Sequence, residues 1–206
     1  MPSLSKGNAE ISRSMSKLPV LGMWIAIAIF AGLPRADAQG SATDRPQYVR
    51  KNQLLRPGYY RDWIYLSSGL GMNYNAAAGD HEIFTNVFVP KWAYREFVAT
   101  GKWPDRTIFV VEERTSATKG SINKVGHFQG DLMGLGVEVK DEKRFPEEWA
   151  YFTFGSDTRS AAANPKAACW RCHNDHAAVE NTFIQFYPTL KPVAQKFETY
   201  RQKPEN

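Results

Sequence analysis

Apolar and polar positions along this chain fall mostly into short extended runs, with one clear helical stretch among them. Residues 63–66 (WIYL) predict a first strand, stopped by Ser67-Ser68-Gly69. Residues 83–89 (IFTNVFV), bounded by Pro90, predict a second, and 106–114 (RTIFVVEER) a third. In 132–140, Leu135, Val137 and Val139 alternate with Gly136, Glu138 and Lys140, the pattern of a fourth strand buried on one face. Residues 149–154 (WAYFTF) complete the set. Between the second and third strands, Tyr94, Phe97 and Val98 fall at i, i+3 and i+4, which predicts a helix opened by Pro90 and stopped by Gly101. A second helix is expected over 174–180.

The remaining stretches read as connections. Residues 39–58 are polar, carry Pro46 and Pro57, and are expected to be a flexible lead-in. Residues 73–81 read as a loop, 115–126 as a hairpin connection and 155–168 as a linker. Residues 182–200 read as a tail broken at Pro188 and Pro192. Most strands follow one another without an intervening helix, which favours antiparallel pairing. The expected fold is α+β: a mainly antiparallel sheet of about five strands with short helices, over a single domain at 59–200.

Composition adds a compartment. Lys6, Arg13 and Lys17 precede an apolar run over 18–33, and Ala36-Asp37-Ala38 follows. This is the grammar of a secretory signal peptide over 1–38, with cleavage expected after Ala38. A retained anchor is disfavoured, because the run is shorter than the roughly 20 residues a spanning helix needs and contains Pro19 and Gly22. The expected product is exported and periplasmic. The full chain of 206 residues carries a formal charge of +5. No basic stripe with interleaved aromatics appears, so nucleic acid is not an expected partner. A slightly basic surface suits an acidic redox partner, such as another cytochrome.

The chemistry concentrates in Cys169-Trp170-Arg171-Cys172-His173, which holds the chain's only two cysteines. C-x-x-C-H is the pattern of covalent c-type haem attachment. Two thiols so spaced add to the two vinyl groups on one edge of a porphyrin, and the histidine that follows supplies the axial imidazole. A redox dithiol would open a helix in a βαβ setting, which is not predicted here. A disulfide closing so short a loop would restrict the unfolded chain little. The expected cofactor is therefore one covalently bound haem, held by Cys169 and Cys172 with His173 on the iron. This motif lies near the C-terminus, so the last segment is the haem-binding one.

The other face of the iron is less determined. Past residue 38 the methionines are Met72 and Met133, and no methionine follows the haem motif. Met133, between Leu132 and Gly134, reads as core packing. The histidines are His81, His127, His173 and His176, and His176 would stand beside His173 on a helix rather than across from it. His127 and Met133 are the candidates for a distal pocket. The expected state is five-coordinate iron with an open position for a small ligand. Among Glu112, Glu113 and Asp131, the candidate acid or base is Asp131, set by Gly130 and Leu132 beside an apolar run where burial would raise its pKa.

Four runs carry a family likeness: TGKWPDRT (100–107), KGSINKVGHFQGDL (119–132), VEVKDEKRFPEEWAYF (137–152) and CWRCHNDHAAVENTFIQFYPTL (169–190). With the leader, the sheet and the single C-x-x-C-H, the chain resembles the cytochrome P-460 family from about residue 59 to 196. The resemblance implies a homodimeric, mainly β c-haem protein. Relatives include hydroxylamine-oxidising enzymes and the cytochromes c′-beta, which bind nitric oxide and carbon monoxide. In the oxidising members a lysine is bonded to the haem edge and a distal carboxylate accepts protons. Cys169, Cys172 and His173 match by motif, and Asp131 lies near where that carboxylate is expected. The lysine has no counterpart, since 106–114 contains none and Lys91, Lys102, Lys119 and Lys124 fall in predicted helix or loop. Three functions stay open: oxidation of hydroxylamine or a related nitrogen species, gas binding without turnover, and electron transfer with Met133 or His127 as sixth ligand.

Overall fold

The computed structural model describes residues 42–50, 52–72 and 82–202. The expected leader with its cleavage point and the expected loop 73–81, His81 included, lie outside the described residues. In chain order the strands are β1 (Tyr48–Val49), β2 (Gln53–Leu55), β3 (Ile64–Leu70) and β4 (Ile83–Val89). After helix α1 (Lys91–Thr100) come β5 (Ile108–Ala117), β6 (Phe128–Lys140), β7 (Trp149–Gly155) and β8 (Ser160–Ala162). Helices α2 (Trp170–His176) and α3 (Lys191–Lys196) follow.

Strands β3 to β7 pair antiparallel in sequential order, as the spacing of strand signals predicts. The main-sheet expectation therefore holds, and the class is α+β with β dominant. The surprise is a second, three-stranded sheet in the order β1-β2-β8. It is built from the stretches read as a flexible lead-in and a linker, so both expectations are corrected. Strands of two or three residues are too short to show a period, yet Leu54 in β2 is fully buried.

Period two splits the main sheet into two apolar faces. Ile108, Val110, Val137, Ala150, Phe152 and Phe154 face one way, onto Leu54, Tyr60 and Trp63. Phe109, Trp149 and Tyr151 face the other, onto α1 and the C-terminal segment through Phe97, Trp103 and Leu190. Burying a side chain such as Phe109 or Phe152 contributes about 2–3 kcal/mol, so each face holds its own cover. The inner half of β6, residues 134–140, is accordingly covered on both sides. Glu138 and Lys140, expected on a solvent face, are 8% and 7% exposed.

Three local corrections follow from packing. Strand β3 runs on through Ser67-Ser68-Gly69, because Ser67 pairs with Val87 and Gly69 with Thr85. Helix α1 buries Trp92, Ala93 and Phe97 but leaves Val98 exposed. It ends at Gly101, whose φ of +71° and close neighbour Phe197 (2.5 Å from an added Cβ) both demand glycine. The presumed tail carries α3, with Pro192 in its first turn, where a missing N–H costs nothing. Leu190 and Ala194 are fully buried there.

Between β5 and β6 the ladder is irregular twice. Glu113 pairs with Gly134, Arg114 with Leu132 and Ser116 with Gln129, so β6 carries two residues more than its partner over this stretch. Asp131 and Met133 both lie there.

Candidate functional site

The second face of the main sheet opens into a cavity of about 400 Å3, within the usual range for small-molecule and cofactor sites. Its floor follows from strand register. Ser67, Val87, Val111, Gly136 and Thr153 lie side by side across all five strands, each paired with the next. In the adjacent row, Gly69, Thr85 and Glu113 also line the cavity. No side chain of the central row is larger than valine, so the floor is low and broad. An added Cβ on Gly136 would meet Val111 at ordinary contact distance, its Cβ at 3.6 Å and its carbonyl oxygen at 3.9 Å. Packing within the chain does not require a glycine at that point.

The wall is the C-terminal segment. Helix α2 starts immediately after Cys169, and its spacing brings Cys169, Cys172 and His173 to one side at i, i+3 and i+4. Both thiols are free and half-buried. Asn164 Nδ2 donates to Cys169 Sγ at 3.5 Å and to Thr153 Oγ1 at 3.0 Å. The His173 ring sits between Tyr151 and Phe183, with centroids at 4.3 and 4.5 Å. The carbonyl of Asn181 lies 2.9 Å from His173 Nδ1. A carbonyl can only accept, so this bond puts the imidazole proton on Nδ1 and leaves the Nε2 lone pair for a metal.

Glu138 shares this corner. Its Oε1 lies 4.0 Å from His173 Nε2. Its Oε2 is buried with no hydrogen-bond partner among the described residues. Burial pushes the Glu138 carboxyl up from its ordinary range, and the neighbouring His173 only partly offsets this. Burial, followed by the Glu138 charge, likewise raises the Tyr151 phenol. An orphaned carboxylate oxygen, a low floor, two thiols and a metal-ready imidazole form a donor set that fits a haem with a ring-edge attachment. Cys169, Cys172 and His173 would hold it, against Gly136, Tyr151 and Phe183.

The sequence-derived candidates divide sharply. Cys169 and His173 line the cavity, with Cys172 on the same helix. Asp131 does not: it is exposed, and its backbone N–H donates to Thr115 Oγ1 at 2.8 Å. The burial expected for it is corrected, because the ladder irregularity turns it away from the apolar run. Met133, expected in the core or near the haem, is 48% exposed for the same reason. His127 lies outside the lining, with Nδ1 2.8 Å from Ser116 Oγ and 3.2 Å from Glu82 Oε2. Met72 is the methionine that lines the cavity, and Glu113 lines it as well.

Sequence reasoning passed over Glu138, because a carboxylate alternating with Val137 and Val139 reads as the solvent-facing side of a half-buried strand. It also weighed Glu112 as a haem-side group, but Glu112 points to the opposite face. There it accepts from Tyr60 OH (2.6 Å), Arg61 (2.7 Å) and Arg114. Burial works to raise this carboxyl, yet the Tyr60 and Arg114 bonds and the two arginine charges hold it below its ordinary range.

No curated protein matches the chain. A family match does cover it: the Cytochrome P460 family matches residues 57–184, more than half of the 206 residues, taking in the main sheet, the CWRCH run and the turn behind His173. The chain belongs to the cytochrome P460 family of haem cytochromes.

Proposed function

We propose that this is an exported monohaem c-type cytochrome that oxidises hydroxylamine or a related small nitrogen species. In this reading Cys169 and Cys172 would hold the haem by thioether bonds and His173 Nε2 would ligate its iron, leaving the iron able to take a small ligand. The haem, when bound, supplies the one-electron chemistry. The chain's own part is to orient the imidazole through Asn181, exclude water with Tyr151 and Phe183, and accept substrate protons. Glu113 is the carboxylate for that last role, replacing Asp131 as the candidate. The observation that carries the proposal is the position of Glu113 on the cavity floor beside Thr85, in the same cavity as His173. Electrons then leave to a soluble acceptor, for which a slightly basic surface favours an acidic redox partner. The leader grammar over 1–38 supports a periplasmic location, and the family likeness supports a homodimer.

A second reading, nitric oxide or carbon monoxide binding without turnover, is favoured by one observation. Strand β5 contains no lysine, and the floor at its centre is Val111. The oxidising relatives carry a lysine bonded to the haem edge. Electron transfer with Met133 or His127 as sixth ligand has the least support, since neither lines the cavity.

The test is hydroxylamine-dependent reduction of a dye by the haem-loaded protein. Turnover is expected, and Glu113→Gln should lower it about 100-fold, the scale of general-base catalysis. Saturable carbon monoxide binding with no dye reduction would transfer the assignment to the gas-binding reading. A low-spin ferric spectrum with no carbon monoxide binding would remove both.

A further inference from the structure

Behind His173 stands a turn held by a buried lysine that neither the haem motif nor the cavity uses. Residues 179–182 close on themselves: Thr182 N donates to Val179 O at 2.8 Å and Val179 N to Thr182 O at 3.4 Å. The tip is Glu180-Asn181, and the Asn181 carbonyl is the acceptor for His173 Nδ1. Glu180 has φ +48°, in the left-handed region that costs a side-chain-bearing residue about 1–2 kcal/mol. A turn in this state persists only where its surroundings over-determine it.

The surroundings are Lys140 and Trp103. Lys140 Nζ donates to Glu180 Oε2 at 3.0 Å and to the Trp103 carbonyl at 2.9 Å. Its side chain is only 8% exposed. Its remaining contact, Glu142 Oε1 at 3.4 Å, is with a half-exposed residue. Trp103 grips the turn from the same side, its N–H donating to Glu180 Oε1 at 3.4 Å and its indole Nε1 to Thr182 Oγ1 at 2.9 Å. Lys140, on the last position of β6, thus reaches the haem-bearing segment from the sheet. A buried ion pair rarely outperforms apolar packing for stability. What it does supply here is a fixed position for one carbonyl.

We infer that Lys140 is a positioning residue for the His173 imidazole. Acting through Glu180 and Trp103, it holds the Asn181 carbonyl where it accepts the Nδ1 proton, and so sets ring rotation, tautomer and the donor strength of Nε2. The inference rests on the reading of His173 as axial ligand.

Resonance Raman spectroscopy of the ferrous haem-loaded protein reads the iron–histidine stretching band, and redox titration reads the haem potential. Lys140→Met keeps the length and burial of the side chain and removes its donors. The band should move to lower frequency and the potential should rise, since a slackened Nδ1–H bond makes a weaker donor. Lys140→Arg should restore part of both. Glu180→Gln, at a residue 25% exposed, should shift both the same way by less, and it serves if Lys140→Met does not fold. Band and potential unchanged in Lys140→Met and Glu180→Gln would overturn the inference. His173→Ala separates the two ideas. If the haem spectrum survives that change, the axial reading fails; if it is lost while the Lys140 and Glu180 variants stay silent, only the positioning role fails.

Discussion

Two buried glutamates on neighbouring strands of one sheet have opposite surroundings. Glu112, on β5, faces the apolar side that carries the small sheet, and both its oxygens are taken by Tyr60, Arg61 and Arg114. Glu138, on β6, faces the cavity and has one oxygen with no partner among the described residues. Folding alone rewards the first arrangement, because desolvation is matched by charge-assisted bonds. It penalises the second. A chain that keeps both uses one face to hold itself together and leaves the other incomplete until a ligand arrives. The difference teaches how to read buried carboxylates: satisfaction marks scaffold, and orphaned oxygens mark the site.

The largest effect expected from this contrast is on the satisfied side. Glu112→Ala removes the carboxylate that accepts from Tyr60, Arg61 and Arg114, leaving Arg114, among the described residues, only its bond to the Gly130 carbonyl. It should lower stability by about 3–5 kcal/mol in urea denaturation. A loss under about 1 kcal/mol would mean that this face is not held by its polar network. On the cavity side the sign should reverse. Glu138→Leu removes an unmatched carboxylate and should raise the stability of haem-free protein by about 1–2 kcal/mol, while altering the spectrum of the loaded form.

Titration sharpens the same contrast. The Glu138 carboxyl is raised by burial, so the folded chain keeps its proton to higher pH than the unfolded chain does. The stability it confers is complete below the unfolded carboxylate range and is lost as pH rises through the folded value. Glu112 is held low, so its contribution is complete above that range and is lost as pH falls through its folded value. In stability measured against pH, Glu112→Gln should flatten the acid-side loss and Glu138→Gln the loss on the other side. Equal effects on both sides would break the comparison.

The smallest stability change is expected at the floor. Gly136→Ala should shift stability by no more than about 0.5 kcal/mol, since its Cβ meets only ordinary contact. It should nevertheless reduce haem loading. Gly134→Ala, two residues away, places a Cβ 2.8 Å from the Phe154 carbonyl and should cost about 1–3 kcal/mol. Comparing the two separates room kept for a ligand from room denied by the backbone.

Much of this was legible beforehand, for reasons that differ by residue. Four strands of the main sheet have six or more residues of strand-like composition, while β3 has it only in its first half, its Ser67-Ser68-Gly69 half reading as a stop. CWRCH is legible because its chemistry demands fixed spacing. β1, β2 and β8 were missed because two or three residues carry no period, and only the packing of Leu54, Tyr48 and Ala161 against the core reveals them. Asp131 was misplaced because adjacency to the apolar run that begins at Leu132 was taken for burial, while the β5–β6 ladder slips at this point. Glu138 went unread because a charge among valines is taken by default as solvent-facing; two-sided cover is a tertiary fact.

That slip has a consequence of its own. One added residue in a strand exchanges its faces, so a single irregularity would aim Val137 into the cavity and Glu138 into the apolar layer. The β5–β6 pairing holds two, and the second undoes the first. The outer end of the hairpin therefore keeps the same parity as the inner end. Losing either irregularity alone would set the two ends of β6 out of step, so the pair is kept or lost together.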